Sequence, residues 1–170
     1  MTDHGASARV AAARIFDSAR GALAGAPRER LGELVTPRFF AAARGPRIVP
    51  RAQAWRLGVL LLGEDEVYAV GEVVTARDPG RRGFTAQSSR ERAERGFAAL
   101  RGGFAAGEAV HVGWQVIDLD AMGAPAASTP LAVVDGVPSV RWSPRGGFVA
   151  LEGYVEERIE LLRHPPAGAS

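Results

Sequence analysis

The chain has 170 residues, of which 46% are hydrophobic but only 7% aromatic, and its formal net charge is +2. This length suits one compact domain, so we expect a single domain over residues 1–170, with frayed ends at residues 1–5 and 165–170. Cys and Lys are absent, which excludes disulfides, thiolate metal sites, thiol nucleophiles and lysine Schiff bases. No run approaches the roughly 20 consecutive apolar residues of a membrane-spanning helix, and the beginning of the chain lacks a signal-peptide pattern, so we expect a cytoplasmic protein with no membrane partner.

Charge is unevenly distributed along the chain. Residues 1–60 carry ten Arg and four acidic residues, whereas residues 61–170 carry eleven Arg and fifteen acidic residues. The early Arg residues are scattered among Ala and Pro rather than interleaved with aromatic residues, which disfavours nucleic-acid binding. A small anion or a protein remains as the expected partner.

The first 50 residues predict one helix followed by irregular chain. Helical spacing over residues 6–24 is followed by Gly25 and Pro27, which end helices. The predicted core face comprises Val10, Ala13, Phe16 or Asp17, Ala19 and Leu23. Residues 27–50 contain four Pro residues; within them "RERLGELV" is compatible with a short helical turn and "FFAAA" with an apolar patch.

Residues 55–76 predict a hairpin, because "WRLGVLLL" and "VYAVGEVVTA" are β-rich runs separated by the polar segment "GEDE". Alternation along the first strand assigns its side chains to two faces. Trp55, Leu57, Val59 and Leu61 would share one face, and Arg56, Gly58, Leu60 and Leu62 the other.

A second helix is predicted from the capping-box spacing of Ser88 and Glu91 to the Gly102-Gly103 pair, with Phe97 and Leu100 facing the core. Residues 108–120 predict a further strand. Its apolar side is expected to comprise Val110, Val112, Trp114 and Val116.

The last third predicts a hairpin and a helix. Asp135-Gly136 lies between apolar runs, and Pro138 confines the second arm to an edge or a bulge. A final helix is expected to begin at Gly146-Gly147, with a core face formed by Phe148, Leu151, Val155, Ile159 and Leu162. These elements together predict an α+β fold, with a mainly antiparallel sheet built from two hairpins and a further strand and packed with about three helices.

Two Arg-Trp neighbours suggest an anion site. Arg56 follows Trp55, and Arg141 precedes Trp142. If both Trp side chains face the core, both Arg side chains share the opposite face, where they could bind a carboxylate or phosphate. The alternative is ordinary surface pairing of these Arg residues with Glu64, Glu72 or helix acids.

The "PRGGF" segment adds a second possibility for anion binding. Gly146 and Gly147 before the last helix could offer backbone N–H groups to an anion, with Arg141 and Arg145 nearby. The alternative is that the two Gly residues only mark the start of the helix.

His111, Asp118 and Asp120 form the only His-carboxylate cluster in the sequence. On a strand, His111 would point away from Val110 and Val112. An Asp-x-Asp pair resembles some metal-binding pairs, but before a flexible loop it is more typical of a strand end. No metal site, cofactor or nucleophile motif is therefore predicted.

Four phrases resemble a family of small proteins from high-GC bacteria that are often automatically named glutaminase: "WRLGVLLL", "LRGGFAAGEAV", "PLAVVDGVPSVRWS" and "YVEERIELLRHPPAGA". The resemblance spans residues 20–169 and implies amide hydrolysis. The Ser-x-x-Lys and Cys-His motifs of the two known types of glutaminase are both impossible here, so no catalytic residue carries over.

Two functional hypotheses follow. The first is a non-catalytic module that binds a small anion or a protein partner through Arg56, Arg141, Trp142, Arg145, Gly146 and Gly147. The second is an amide hydrolase in which His111, with Asp118 or Asp120, activates a water. The sequence favours the first.

Overall fold

The structure is a computed structural model that describes residues 3–36, 45–78, 80, 87–122 and 130–166. It has an α+β fold with mainly antiparallel strands, as predicted. The described helices are α1 (Asp3–Ala22), α2 (Gln87–Gly102) and α3 (Leu151–Arg163). The described strands are β1 (Glu29–Val35), β2 (Arg47–Leu57), β3 (Leu60–Leu62), β4 (Val67–Ala69), β5 (Glu72–Thr75), β6 (Ala109–Val112), β7 (Gln115–Val116), β8 (Leu131–Val134), β9 (Val137–Arg141) and β10 (Phe148–Ala150).

The chain divides into two compact units. The first comprises residues 1–28, 55–69 and 116–170, and the second comprises residues 29–54 and 70–115. The single domain and the frayed ends stay predictions, and the "FFAAA" patch lies outside the described residues. Among the described residues, no helix is long and apolar enough to cross a membrane.

Helix α1 contributes one face to the core of the first unit, but the predicted face is partly wrong. Its buried residues are Ala8, Ala12, Phe16 and Ala19, and Leu23 is buried directly after the helix ends. Val10 and Ala13, which were expected in the core, are exposed. Ala is so frequent in this helix that several faces have similar apolar character, and only Phe16 and Leu23 are large enough to define the buried one.

The predicted strand at residues 55–62 is interrupted by a two-residue turn at Gly58-Val59, so the predicted faces are wrong. Gly58 has φ +64°, a conformation that L side chains rarely adopt. Strands β2 and β3 pair antiparallel, with Trp55 opposite Leu62 and Leu57 opposite Leu60. Cross-strand partners share a face, and these four side chains all belong to the core of the first unit.

Helix α3 is attached to this turn by Tyr154. Its hydroxyl accepts a hydrogen bond from the Val59 N–H at 2.9 Å and donates one to the Leu57 carbonyl at 3.2 Å. Leu151, Tyr154, Val155 and Ile159 form the buried side of α3. The predicted helix is confirmed over these residues, and the hydroxyl satisfies backbone groups that the tight turn would otherwise leave unpaired.

Strands β8 and β9 form the hairpin predicted from Asp135-Gly136. Both turn residues have positive φ, 49° and 80°, which is the requirement of a type I′ turn. Pro138 was predicted to confine the second arm to an edge or a bulge, but β9 is the central strand of the order β10-β9-β8 and pairs with β8 in regular register. The sheet tolerates Pro138 because β10 pairs only with residues 139–141, so no ladder bond is lost on that side.

The segment after β9 does not begin a helix, which corrects the prediction for Gly146-Gly147. Gly146 donates its N–H to the Ser143 carbonyl at 3.1 Å, and the chain then enters strand β10. Phe148 therefore lies in a strand rather than on the core face of α3, which begins three residues later at Leu151.

The second unit contains a sheet with strand order β5-β6-β1-β2. The "RERLGELV" segment forms strand β1 rather than a helical turn. It pairs antiparallel with β2 and parallel with β6. Local spacing could not reveal this, because a strand between two neighbours is stabilised by partners distant in sequence.

Helix α2 is confirmed to the predicted end at Gly102, but its buried residues are Gly96, Ala98 and Ala99. Leu100 is half-buried and packs against the core of the second unit, as predicted. Phe97, also predicted to face the core, is half-buried beside Arg101. A Cβ on Gly102 would lie 1.5 Å from the Ile48 carbonyl oxygen. The helix therefore approaches β2 so closely that small residues form the contact.

The strand predicted at residues 108–120 is shorter than expected. Strand β6 ends at Val112, and Gly113 (φ +68°) turns the chain before β7. Val110 and Val112 are buried, but Val116 is exposed. The predicted common apolar side is therefore wrong beyond Val112.

Candidate functional site

Arg141 lies at the end of strand β9, directly opposite Phe148 of strand β10. Its guanidinium carbon is 4.7 Å from the centroid of the Phe148 ring. This cation–π contact holds an exposed Arg side chain against a defined neighbour. Antiparallel register brings the pair together. Helical spacing predicts Phe148 on the last helix, so this contact does not follow from the sequence.

Trp142 follows β9 and is 51% exposed, so the idea that both Trp side chains face the core is wrong. Trp55 is buried and donates its indole N–H to the Ala26 carbonyl at 3.1 Å. A Cβ on Gly146 would lie 3.1 Å from two atoms of the Trp142 indole. The indole therefore packs on the Gly146 backbone, and the ring is fixed while one surface remains open.

Arg141, Trp142 and Arg145, which we call the Arg141 surface, lie on one continuous segment and are exposed. Among the described residues, no carboxylate forms an ion pair with Arg141 or Arg145. Two positive charges beside an exposed indole are suited to an anion. Gly146 contributes space for the indole, and its N–H is already bonded to Ser143.

Arg56 lies in a different sheet, on β2 opposite Leu61 of β3. Its side chain is exposed and has no ion pair among the residues that the structure describes. The partners suggested by the alternative interpretation bind elsewhere. Glu64 pairs with Arg28 at 3.6 Å, and Glu72 pairs with Arg95.

Apolar side chains share one face of the small sheet with Arg141, on either side of the buried Ser139. Val134 and Val137 are direct cross-strand partners, as are Arg141 and Phe148. Residues 137 and 141 are four apart on β9, so these four side chains share one face, which we call the outer face. Leu131 and Val140 point to the opposite face and belong to the core.

The outer face is partly exposed although it is apolar. Val134 is 39% exposed, Val137 is 47% exposed and Phe148 is 37% exposed. Exposed apolar side chains grouped on one small sheet indicate an interaction site more strongly than isolated ones do. The sequence predicted neither this grouping nor its position on the same face as Arg141.

His111 lies on β6 of the second unit and is fully buried. Its Nε2 atom forms a close hydrogen bond with the Glu29 carboxylate. Nδ1 of His111 is buried and has no hydrogen-bond partner in the described structure. Glu29 is the half-exposed member of the pair, so the carboxylate rather than the imidazole faces solvent.

Asp118 and Asp120, the predicted carboxylate partners of His111, belong to the first unit. The Asp118 carboxylate accepts a hydrogen bond from the Asp120 N–H at 2.9 Å, which is the arrangement of a local turn. The described residues contain no group of three or more His, Asp or Glu suited to a metal ion.

Asp118 also lines a cavity of about 450 Å³ in the first unit. The other charged lining residues are Asp17, Arg20, Asp65 and Glu66. Arg20 is occupied, because it pairs with Asp17 at 2.7 Å and donates to the Gly63 carbonyl at 2.9 Å. An excess of carboxylates makes this cavity unfavourable for an anion.

Comparison of the chain with models of protein families, with curated proteins and with solved structures finds no match.

Proposed function

We propose that this protein is a non-catalytic binding module in which the Arg141 surface binds an anionic group, a carboxylate or a phosphate. The observation that carries the proposal is the exposure of Arg141 and Arg145, which form no ion pair with any described residue, next to the exposed Trp142. In the first unit, Arg20 and Arg28 have carboxylate partners within 4.0 Å. Arg56 is exposed with no ion pair among the described residues, but the Trp beside it is buried, so it lacks an exposed indole.

Two contacts reduce the cost of binding. Phe148 restrains Arg141, and Gly146 supports the Trp142 ring. Side chains that are already positioned lose less conformational entropy when a ligand binds. An Arg guanidinium can donate two parallel hydrogen bonds to one carboxylate or phosphate, while the indole contacts the apolar part of the ligand.

The test is a thermal-shift and tryptophan-fluorescence screen with citrate, inorganic phosphate and a short polyglutamate. We expect at least one of these anions to raise the melting temperature. At a ligand concentration 100 times Kd, the gain in unfolding free energy is about 2.7 kcal/mol. Binding should also change Trp142 emission, since this indole is exposed.

Arg141→Ala should abolish the stabilisation without unfolding the protein. Arg90→Ala is the matched control, because Arg90 is also exposed and removal of its side chain lowers the net charge by the same amount. The proposal fails if none of the anions stabilises the protein, or if Arg141→Ala and wild type respond equally.

One observation favours hydrolysis as a second candidate function. The His111–Glu29 pair has the composition of a general-base pair. With the imidazole buried and the carboxylate half exposed, Glu29 would take the proton from water and His111 would orient it. Asp118 and Asp120 have no role in this version of the mechanism.

An ammonia-release assay with glutamine, with and without divalent metal, tests this candidate. Release that is lost in Glu29→Gln, with circular dichroism unchanged, would support hydrolysis. If the wild-type protein releases no more ammonia than buffer, the hydrolysis candidate is refuted. Glu29→Gln is preferable to His111→Ala because it leaves no cavity in the interior.

A further inference from the structure

We infer that the natural ligand of the Arg141 surface is an acidic protein segment that also carries apolar side chains, and that those side chains lie on the outer face. This inference rests on the proposed function and identifies the class of partner. A free small anion would use only Arg141, Arg145 and Trp142. It would leave the apolar part of the same face in contact with water.

The distribution of exposed apolar side chains is the first argument. Eleven large apolar residues are exposed in the described structure, and four of them lie on or beside the outer face: Val134, Val137, Trp142 and Phe148. Val149 is also exposed, but it pairs with Val140 and therefore lies on the opposite face. Four such residues within fifteen positions differ from the scattered exposure that is normal for a protein surface. Protein interfaces are enriched in aromatic residues and Arg, both of which occur here.

Charge complementarity is the second argument. Arg141 shares the outer face with Val137 and Phe148, and Arg145 follows in the next turn. A partner that covers the apolar side chains would also remove water from the Arg141 guanidinium. That desolvation is favourable only if the partner supplies a carboxylate or a similar acceptor.

Two other macromolecules fit less well. Stable attraction to an anionic membrane typically requires about four to eight basic residues, since each contributes only about 1 kcal/mol near the surface. The Arg141 surface has two. Nucleic-acid sites similarly combine an extended basic surface with stacking aromatics, whereas the outer face continues into Val134 and Val137.

The experiment measures fluorescence anisotropy with two labelled eight-residue peptides of equal charge. One alternates Glu and Leu, and the other alternates Glu and Gly. We expect the Glu-Leu peptide to bind at least about tenfold more tightly, because burial of a few apolar groups is sufficient for such a difference. Arg141→Ala should weaken binding of both peptides.

The double variant Val134→Ser/Val137→Ser should remove the preference for Glu-Leu and leave Glu-Gly binding unchanged. Both positions are on the protein surface, so this variant should fold. Val10→Ser is the matched control, because Val10 is an exposed apolar residue of α1 at 54% exposure. It should bind both peptides as wild type does.

The possible results separate this inference from the proposed function. Equal affinity for both peptides, still dependent on Arg141, would overturn the inference and leave the anion site standing. Binding of neither peptide and of no small anion would overturn both. Tighter binding to phosphatidylserine vesicles than to the Glu-Leu peptide would overturn the inference in favour of a membrane. Concentration-dependent dimerisation that is lost in the double Ser variant would overturn it in favour of a second copy of the chain.

Discussion

Gly58→Ala should be among the most damaging single-methyl substitutions in the first unit, for two separable reasons. Gly58 has φ +64°, and an L residue in this conformation costs about 1–2 kcal/mol. The added Cβ would also lie 2.0 Å from the Tyr154 hydroxyl oxygen. Displacing that hydroxyl leaves the Val59 N–H and the Leu57 carbonyl unpaired, at about 1–3 kcal/mol for each buried group.

The Val59 N–H bond is only part-buried, so water can replace it, whereas the Leu57 carbonyl bond is buried. Counting the backbone cost and one buried group, we expect Gly58→Ala to lower the free energy of unfolding by about 2–5 kcal/mol. For a chain of this size, 1 kcal/mol corresponds to roughly 2–4 °C in melting temperature. The assay is urea unfolding followed by circular dichroism and tryptophan fluorescence. Gly25→Ala is the matched control, because Gly25 has φ +84° but nothing within 4 Å of the added Cβ. Gly25→Ala should lose only the unfolding free energy that corresponds to the unfavourable backbone conformation.

A double-mutant cycle isolates the role of the hydroxyl. In the Tyr154→Phe background the collision with oxygen is absent, although the added Cβ would still lie 3.1 Å from Cζ of residue 154 and 3.3 Å from Arg158 Nε. Gly58→Ala should then destabilise the protein much less than in wild type, and slightly more than Gly25→Ala does. If Gly58→Ala had the same effect in wild type and in the Tyr154→Phe background, the reasoning would be refuted. A Gly58→Ala protein as stable as wild type would refute it as well.

Two further predictions concern pH and close packing. Burial and, to a smaller extent, the hydrogen bond to Glu66 raise the pKa of Tyr68 from 10.0 to about 12. The neutral phenol therefore contributes fully to stability below pH 10.0, and this contribution is lost as the pH rises through about 12. Urea unfolding at about pH 9 and about pH 11 should therefore show a loss of stability that Tyr68→Phe reduces; an identical loss in both proteins would contradict this assignment. Gly102→Ala should lower the free energy of unfolding by at least about 2 kcal/mol, because its Cβ would meet the Ile48 carbonyl oxygen. The control is Gly21→Ala in α1, which should be neutral or stabilising because nothing lies within 4 Å of the added Cβ. Comparable urea midpoints for the two variants would argue against the close approach of α2 and β2.

The parts of the fold that were predictable depend on local chemistry. Asp135-Gly136 specifies its hairpin because few other residues adopt two successive positive φ angles. Gly102-Gly103 ends α2 where expected. Strand β1 could not be predicted in the same way. Its parallel neighbour β6 is distant in sequence, β2 follows only after residues 36–46, and the letters of β1 are equally suitable for a helix.

The same distinction applies to the candidate site. Arg141, Trp142, Arg145 and Gly146 were recognisable because they are nearly adjacent in the chain. Phe148 was not, since its position opposite Arg141 depends on the length of the turn between β9 and β10. The Glu29 partner of His111 was also missed, because it lies 82 residues away on a strand that had been taken for a helical turn.

The most direct test of the account is to map ligand-induced chemical-shift changes on the ¹⁵N-labelled protein during titration with the Glu-Leu peptide. We expect the largest changes at Val137, Arg141, the Trp142 indole N–H and Phe148. The indole N–H groups of Trp55 and Trp114, which donate to backbone carbonyls, serve as internal references and should change little. Changes concentrated around Glu29 and His111, or no changes at saturating peptide, would contradict the assignment of function to the Arg141 surface.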